Sequence, residues 1–223
     1  MGIRTKAPVI GDITGKVGTI VLSSWRGLNV VKEAPPSKRK SKKKVSKKLA
    51  QQNGLFKIVN QFLKLDGSDV IKRGYQLRKK EEMTPLNFAT SYHMLNAVTG
   101  TYPEYSIDLS KVKFSRPLNS TQEGWNAAFT EEENGDLRVN WELNPFPQKT
   151  TQLDDEAVVV FYNASRGYFR MSENVQRSSL GYTFPIKRKS SMVGNEIFSW
   201  LFFISADGKL VSETTYLGML KMV

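Results

Sequence analysis

The sequence predicts an α+β chain that is mainly β: an N-terminal β-hairpin, a basic arm and helices, then a C-terminal antiparallel β-sandwich or open barrel. Three observations predict it. After Pro103, short apolar and β-branched runs recur between clusters of Gly, Pro, Asn and Asp. Over 45–65, apolar residues fall at steps of three and four. Between a hairpin pattern and that helix lies a lysine-rich stretch without an acid.

The elements follow in order. Thr19–Trp25 is β-branched and apolar, Arg26-Gly27-Leu28-Asn29 reads as a turn, and Val30-Val31-Lys32 returns as a strand. Ala34-Pro-Pro-Ser37 breaks that structure, and 38–48 then holds eight basic residues in eleven. From Val45, the positions Val45, Leu49, Gln52, Phe56, Val59 and Phe62-Leu63 give one helical face through about Leu65. Asp66-Gly67-Ser68 ends it, and Asp69 caps a short helix containing Val70 and Ile71. Thr84-Pro85 starts another, with threonine as N-cap, proline at the first helical position and Gly100 as its stop. The strand candidates are 107–114, 137–143, 157–162, 180–184, 197–205 and 210–220. Leu137, Val139, Trp141 and Leu143 alternate with polar residues, which suits a strand with one face on a core.

Composition bounds the function. The chain has 223 residues, 39% of them hydrophobic, enough to bury a core in one large domain or two small ones. Its net charge of +12 is uneven: residues 1–113 carry 22 Lys/Arg against 8 Asp/Glu, and 114–223 carry 11 against 13. This predicts two regions, 1–113 with the hairpin, arm and helices, and 114–223 as a β-rich domain. The longest apolar run, Ile197–Ile204, is far short of the ~20 residues of a membrane-spanning helix. The N-terminus lacks the apolar core of a signal peptide. No membrane partner is expected, and the protein is expected in the cytoplasm or within an assembled particle.

Catalytic chemistry finds little support in the sequence. Cysteine is absent, which removes thiolate nucleophiles and Cys-ligated zinc. The single histidine, His93, has no nucleophile or metal-ligand motif around it and reads as a partly exposed structural residue. Gly11-x-x-x-Gly15-Lys16-Val17 is one residue short of a phosphate-cradling loop and has valine where the magnesium-binding hydroxyl belongs. Asp154-Asp155-Glu156 and Glu131-Glu132-Glu133 lack the spacing of a calcium loop and read as solvated turns. No catalytic residue, metal or cofactor is expected.

The strongest signal is the arm. Lys38, Arg39, Lys40, Lys42, Lys43, Lys44, Lys47 and Lys48 suit a nucleic acid backbone, DNA or RNA. Lysine outnumbers arginine there, which favours phosphate contact over base reading. Trp25 beside Arg26, and Tyr75 near Arg73 and Arg78, are candidate stacking platforms for unpaired bases; the alternative is that both are core aromatics.

Further motifs run along the chain: Gly11-x-x-x-Gly15-Lys16-x-Gly18, Trp25-Arg26-Gly27, Gln51-x-x-x-Leu55-Phe56, Met83-Thr84-Pro85-Leu86-Asn87-x-Ala89 and Ala97-x-Thr99-Gly100-x-Tyr102-Pro103. Trp141, Asp154-Asp155, Tyr162-Asn163, Ser205-Ala-Asp-Gly208 and Tyr216-Leu-Gly218 continue the series. This set resembles a family of uncharacterised proteins from Bacteroidota and covers most of the chain. The resemblance implies a shared fold and supplies no catalytic residue. Two functions are expected. One is a non-enzymatic polyanion-binding protein that contacts a nucleic acid backbone through the arm, largely without sequence specificity. The other is a structural assembly subunit, of a virion or other large particle, whose arm and hairpin contact neighbouring subunits.

Overall fold

β-branched pairs at Ile20-Val21 and Val30-Val31 favour extended backbone, and both lie in strands of the computed structural model. The structure describes residues 3–5, 14–25, 28–34, 45–65, 68–75, 83–117, 119–186 and 191–222. It divides into two units, Met1–Ser46 and Lys47–Val223.

The first unit is an antiparallel sheet of β1 (Ile3–Thr5), β2 (Gly15–Val17), β3 (Ile20–Trp25) and β4 (Leu28–Glu33), in the order β1-β4-β3-β2. β3 and β4 form the expected hairpin, with Leu22 opposite Val31 and Trp25 opposite Leu28. β2 extends it into a three-strand meander: Val17 faces Ile20 across Gly18, whose φ of 59° suits a residue without a Cβ. The pleat places Val17, Ile20, Leu22 and Val31 on one face, and Val17 and Ile20 are exposed.

The second unit opens with helices α1 (Lys47–Lys64), α2 (Ser68–Gly74) and α3 (Pro85–Asn96), followed by the hairpin β5 (Val98–Thr101) and β6 (Glu104–Ile107). Thr84 caps α3 as expected, its hydroxyl accepting from the Asn87 N–H at 3.1 Å. The helix stops at Asn96 rather than running to Gly100. Gly100 sits instead in β5 at φ 85°, where a Cβ would lie 2.3 Å from the Glu104 carbonyl oxygen. Its sequence role was a hairpin glycine, not a helix stop.

Two sheets follow. β9 (Glu156–Asn163), β10 (Tyr168–Met171), β12 (Glu196–Ile204) and β13 (Thr215–Lys221) pair in the order β10-β9-β12-β13. β7 (Trp125–Glu131), β8 (Leu137–Glu142) and β11 (Gly181–Phe184) pair in the order β11-β8-β7. Every named pairing is antiparallel and neither sheet closes into a barrel.

Alternate residues of β9 and β12 explain the layering. Ala157, Val159, Phe161, Ile197, Leu201 and Phe203 meet Leu137, Val139 and Trp141 of the three-stranded sheet. Val158, Val160, Trp200, Phe202 and Ile204, on the opposite face, meet Val59, Phe62, Leu63, Ile71, Tyr75 and Phe114. The four-stranded sheet is therefore the middle layer, with helices on one face and the smaller sheet on the other. Burial on both faces is why 197–204 reads as a continuous apolar run.

This layering corrects the expected boundary at 113/114. Helices α1–α3 share a core with β9 and β12, and the chain divides at Ser46/Lys47. The boundary was drawn from charge, which is a surface property, whereas the division follows apolar burial. α1 also departs from its predicted face: Val59, Phe62 and Leu63 are buried, but Val45, Leu49 and Phe56 are about half exposed. Only the C-terminal half of the stripe reaches the core. Among the described residues, no helix is long and apolar enough to cross a membrane.

Candidate functional site

Lys38, Arg39, Lys40, Lys42, Lys43 and Lys44 lie outside the described residues. Lys47 and Lys48 open α1, both exposed, in a first turn without an acidic residue. Cations there oppose the helix dipole, which favours an anion at that end. Trp25 ends β3, and its side chain lies outside the described part of the structure.

Tyr75 is not a stacking platform. It is 1% exposed, packs in the helical core, and donates its hydroxyl to the Lys113 carbonyl at 3.0 Å. It follows the last residue of α2, where the chain turns inward, so its ring continues the apolar side of that helix. Its neighbour Arg73 pairs with Glu156. Arg78 lies outside the described residues.

His93 is buried rather than partly exposed. Its Nε2 accepts the Lys113 N–H at 3.2 Å, so Nδ1 carries the proton and donates to the Ala89 carbonyl at 2.7 Å. Burial pushes its pKa from 6.5 down to about 4. Both ring nitrogens are committed, and the neutral ring fastens α3 to the segment before Phe114.

The acidic clusters are split among separate tasks. Asp155 is fully buried and pairs with Arg177, Nη2 to Oδ2 at 3.1 Å. Glu156 turns to Arg73, and Glu132 to Arg138 at 3.2 Å. Among the described residues, no group of three or more His, Asp or Glu could hold a metal ion. The Arg177 guanidinium also donates to the Gln122 carbonyl at 2.7 Å and lies 3.7 Å from the Phe203 ring centroid. This cluster clamps 121–123, the start of β9 and the turn at 177–179.

A cleft opens where both sheets end, between the edge strands β10 and β11. Register fixes which side chains face it. Arg170 is opposite Phe161, whose ring lies between the sheets; Tyr182 and Phe184 are opposite Val139 and Leu137, which lie there too. Tyr168, two residues before Arg170, shares its face. At this edge, positions that would be core in a closed sandwich hold an arginine and three aromatic rings.

The Arg170 guanidinium is 5.3 Å from the Phe184 ring centroid and 5.9 Å from that of Tyr168. Arg166 donates to the Ser191 carbonyl at one end, beside Met192 and Ile186. Glu173 marks the other end. Among the described residues, neither Arg166 nor Arg170 forms an ion pair. The cleft measures about 430 Å³ on the Arg166 side, within the ~300–1,000 Å³ range of small-molecule sites. Burial and Glu173 raise the pKa of Tyr182, keeping its phenol protonated.

The sequence reading missed this cleft because it missed β10. The signal was present: Tyr168-Phe169-Arg170-Met171 lies between the turn at 164–167 and the irregular segment 172–175. Four residues with a charge on the inner face gave too short an alternation to read as a strand.

Residues 12–218 match the profile of a family of unknown function (DUF6266). No curated protein matches the chain.

Proposed function

We propose that this chain, which belongs to the DUF6266 family of unknown function, is a non-enzymatic polyanion-binding protein whose basic arm contacts a nucleic acid backbone. The observation that carries the reading is the run of eight basic residues from Lys38 to Lys48, free of acids and leading into α1, where Lys47 and Lys48 are exposed. A phosphate at that helix end offsets both the lysine charge and the exposed backbone N–H groups. Lysine-rich contact with phosphates carries little sequence information.

Eight cations neutralise roughly 6–8 phosphates, so log affinity for a duplex falls with log salt at a slope of about −5 to −7. The test is fluorescence anisotropy with a mixed-sequence duplex from 50 to 300 mM salt. A variant with Lys42, Lys43, Lys44, Lys47 and Lys48 changed to Gln should flatten the slope by about 4. A wild-type slope near zero, or a variant slope like the wild type's, would overturn the reading.

The exposure of Val17, Ile20, Leu49 and Phe56 favours the second reading, a structural assembly subunit using arm and hairpin to contact its neighbours. Light scattering on nuclease-treated protein separates the two. Assembly through apolar faces gives large species that persist in high salt, whereas backbone binding alone leaves a small species.

A further inference from the structure

We propose that the cleft between β10 and β11 binds one nucleotide unit of a single strand, its base against Tyr168, Tyr182 and Phe184 and its phosphate on Arg166 and Arg170. This deepens the reading above and rests on it for the polymer: a protein that binds a nucleic acid backbone meets the strand whose bases the cleft would take.

Arg170 is exposed at the open edge of the cleft and, among the described residues, pairs with no carboxylate, so its guanidinium is accessible to an anion arriving from solvent. Arg170 has Phe184 and Tyr168 on its flanks and Tyr182 beside them, so the anion's carrier meets π-faces within the same cleft. A ligand that answers both demands has a flat ring and a negative charge a few ångströms apart, as a nucleotide does. A neutral sugar leaves the arginines unanswered, and an acidic peptide leaves the rings unanswered. Glu173 repels an anion at one end, which directs the phosphate toward Arg166 and the base toward Tyr182 and Phe184. Both sources of the unit, a strand and a free mononucleotide, share this chemistry. The arm favours the strand.

Base stacking is sequence-tolerant and strengthens binding by about tenfold per base, so the site adds a base requirement without a sequence requirement. The edge strands are fixed by pairing to β9 and β8, which holds the ring faces in place before a ligand arrives.

The experiment compares three fluorescent probes on the full chain: a dT 12-mer, an abasic deoxyribose-phosphate 12-mer of equal charge, and dTMP. The arm reads charge alone and treats the two 12-mers alike. The cleft favours the dT 12-mer about tenfold. Arg170→Gln and Phe184→Leu should each erase that ratio, with thermal unfolding confirming the fold, while the five-lysine arm variant weakens both 12-mers and keeps the ratio. Equal affinities of wild type for the two 12-mers would overturn the cleft and leave the arm standing. A ratio kept in Arg170→Gln would overturn it as well. An unchanged ratio with no salt dependence would instead sink the arm. Binding of dTMP as tight as the 12-mer would make the ligand a free nucleotide and overturn the strand. Photocrosslinking of a 5-iodouracil 12-mer needs no variant: adducts on Tyr168, Tyr182 or Phe184 support the cleft, and adducts confined to other residues refute it.

Discussion

His93 shows how one buried ring makes the whole protein sensitive to acid. The folded state holds it neutral, with a pKa near 4 against 6.5 for a free imidazole. Between those values the unfolded chain takes up a proton that the folded chain refuses, so its contribution is complete above pH 6.5 and is lost progressively toward pH 4. The loss from pH 7.5 to 5 is about 2 kcal/mol. Asp207, held near 2 by Ser205 and the Lys209 N–H, titrates below that window and does not obscure it. Urea unfolding at the two pH values should show the loss in wild type and its near disappearance in His93→Gln; equal losses would remove His93 as the cause. Residue identity was legible in sequence only where position implied environment. The single histidine could be seen, but its burial depended on Lys113, twenty residues away. Tyr75 likewise looked like a ring beside arginines, because sequence proximity to charge says nothing about which way a helix end turns.

Elements were legible in proportion to how far burial imposes a simple pattern. β9 and β12 are buried on both faces, so their apolar runs stood out, and α3 announced itself through Thr84-Pro85. β7 did not, because its pairing with β8 shifts register between Trp125 and Ala128 and Asn126 adopts φ 46°, which breaks the alternation. The 107–114 segment looked like one strand, yet Asp108 accepts from the Ser110 N–H and starts a 3₁₀ turn at Leu109–Lys111. What joins such elements is polar as well as apolar. Arg177 and Asp155 tie four chain segments together inside the sandwich, both almost fully buried. Arg177→Met leaves the Asp155 carboxylate uncompensated and should cost about 3–5 kcal/mol. Adding Asp155→Asn removes that charge, so the double variant should be less destabilised than the two single costs added together. Strict additivity in denaturant titrations would mean the pair is not coupled.

At the scale of the molecule, charge and core are divided differently along the chain. Residues 1–46 hold 11 Lys/Arg against 2 Asp/Glu, most of the net +12, while the helices that follow belong to the core of the β-rich unit. A cut at 46/47 therefore separates charge from fold, and a cut at 113/114 splits a core. Residues 114–223 alone would uncover Val158, Val160, Phe202 and Ile204, now at most 4% exposed. At ~1.5–3 kcal/mol each, the loss of about 6–12 kcal/mol is as large as the net stability of a typical domain, ~5–15 kcal/mol. Residues 47–223 keep every one of those contacts. The expectation is that 47–223 unfolds cooperatively within about 4 °C of the full chain's Tm, and that 114–223 shows no cooperative transition. The same 47–223 fragment should lose most of its affinity for an abasic 12-mer, because the exposed lysines that remain at the start of α1 are only Lys47 and Lys48. Its preference for the dT 12-mer over the abasic strand should survive, since β10 and β11 lie wholly within it. Cooperative unfolding of 114–223 would put the structural boundary where the charge changes. Undiminished abasic binding by 47–223 would move the phosphate contacts out of the arm.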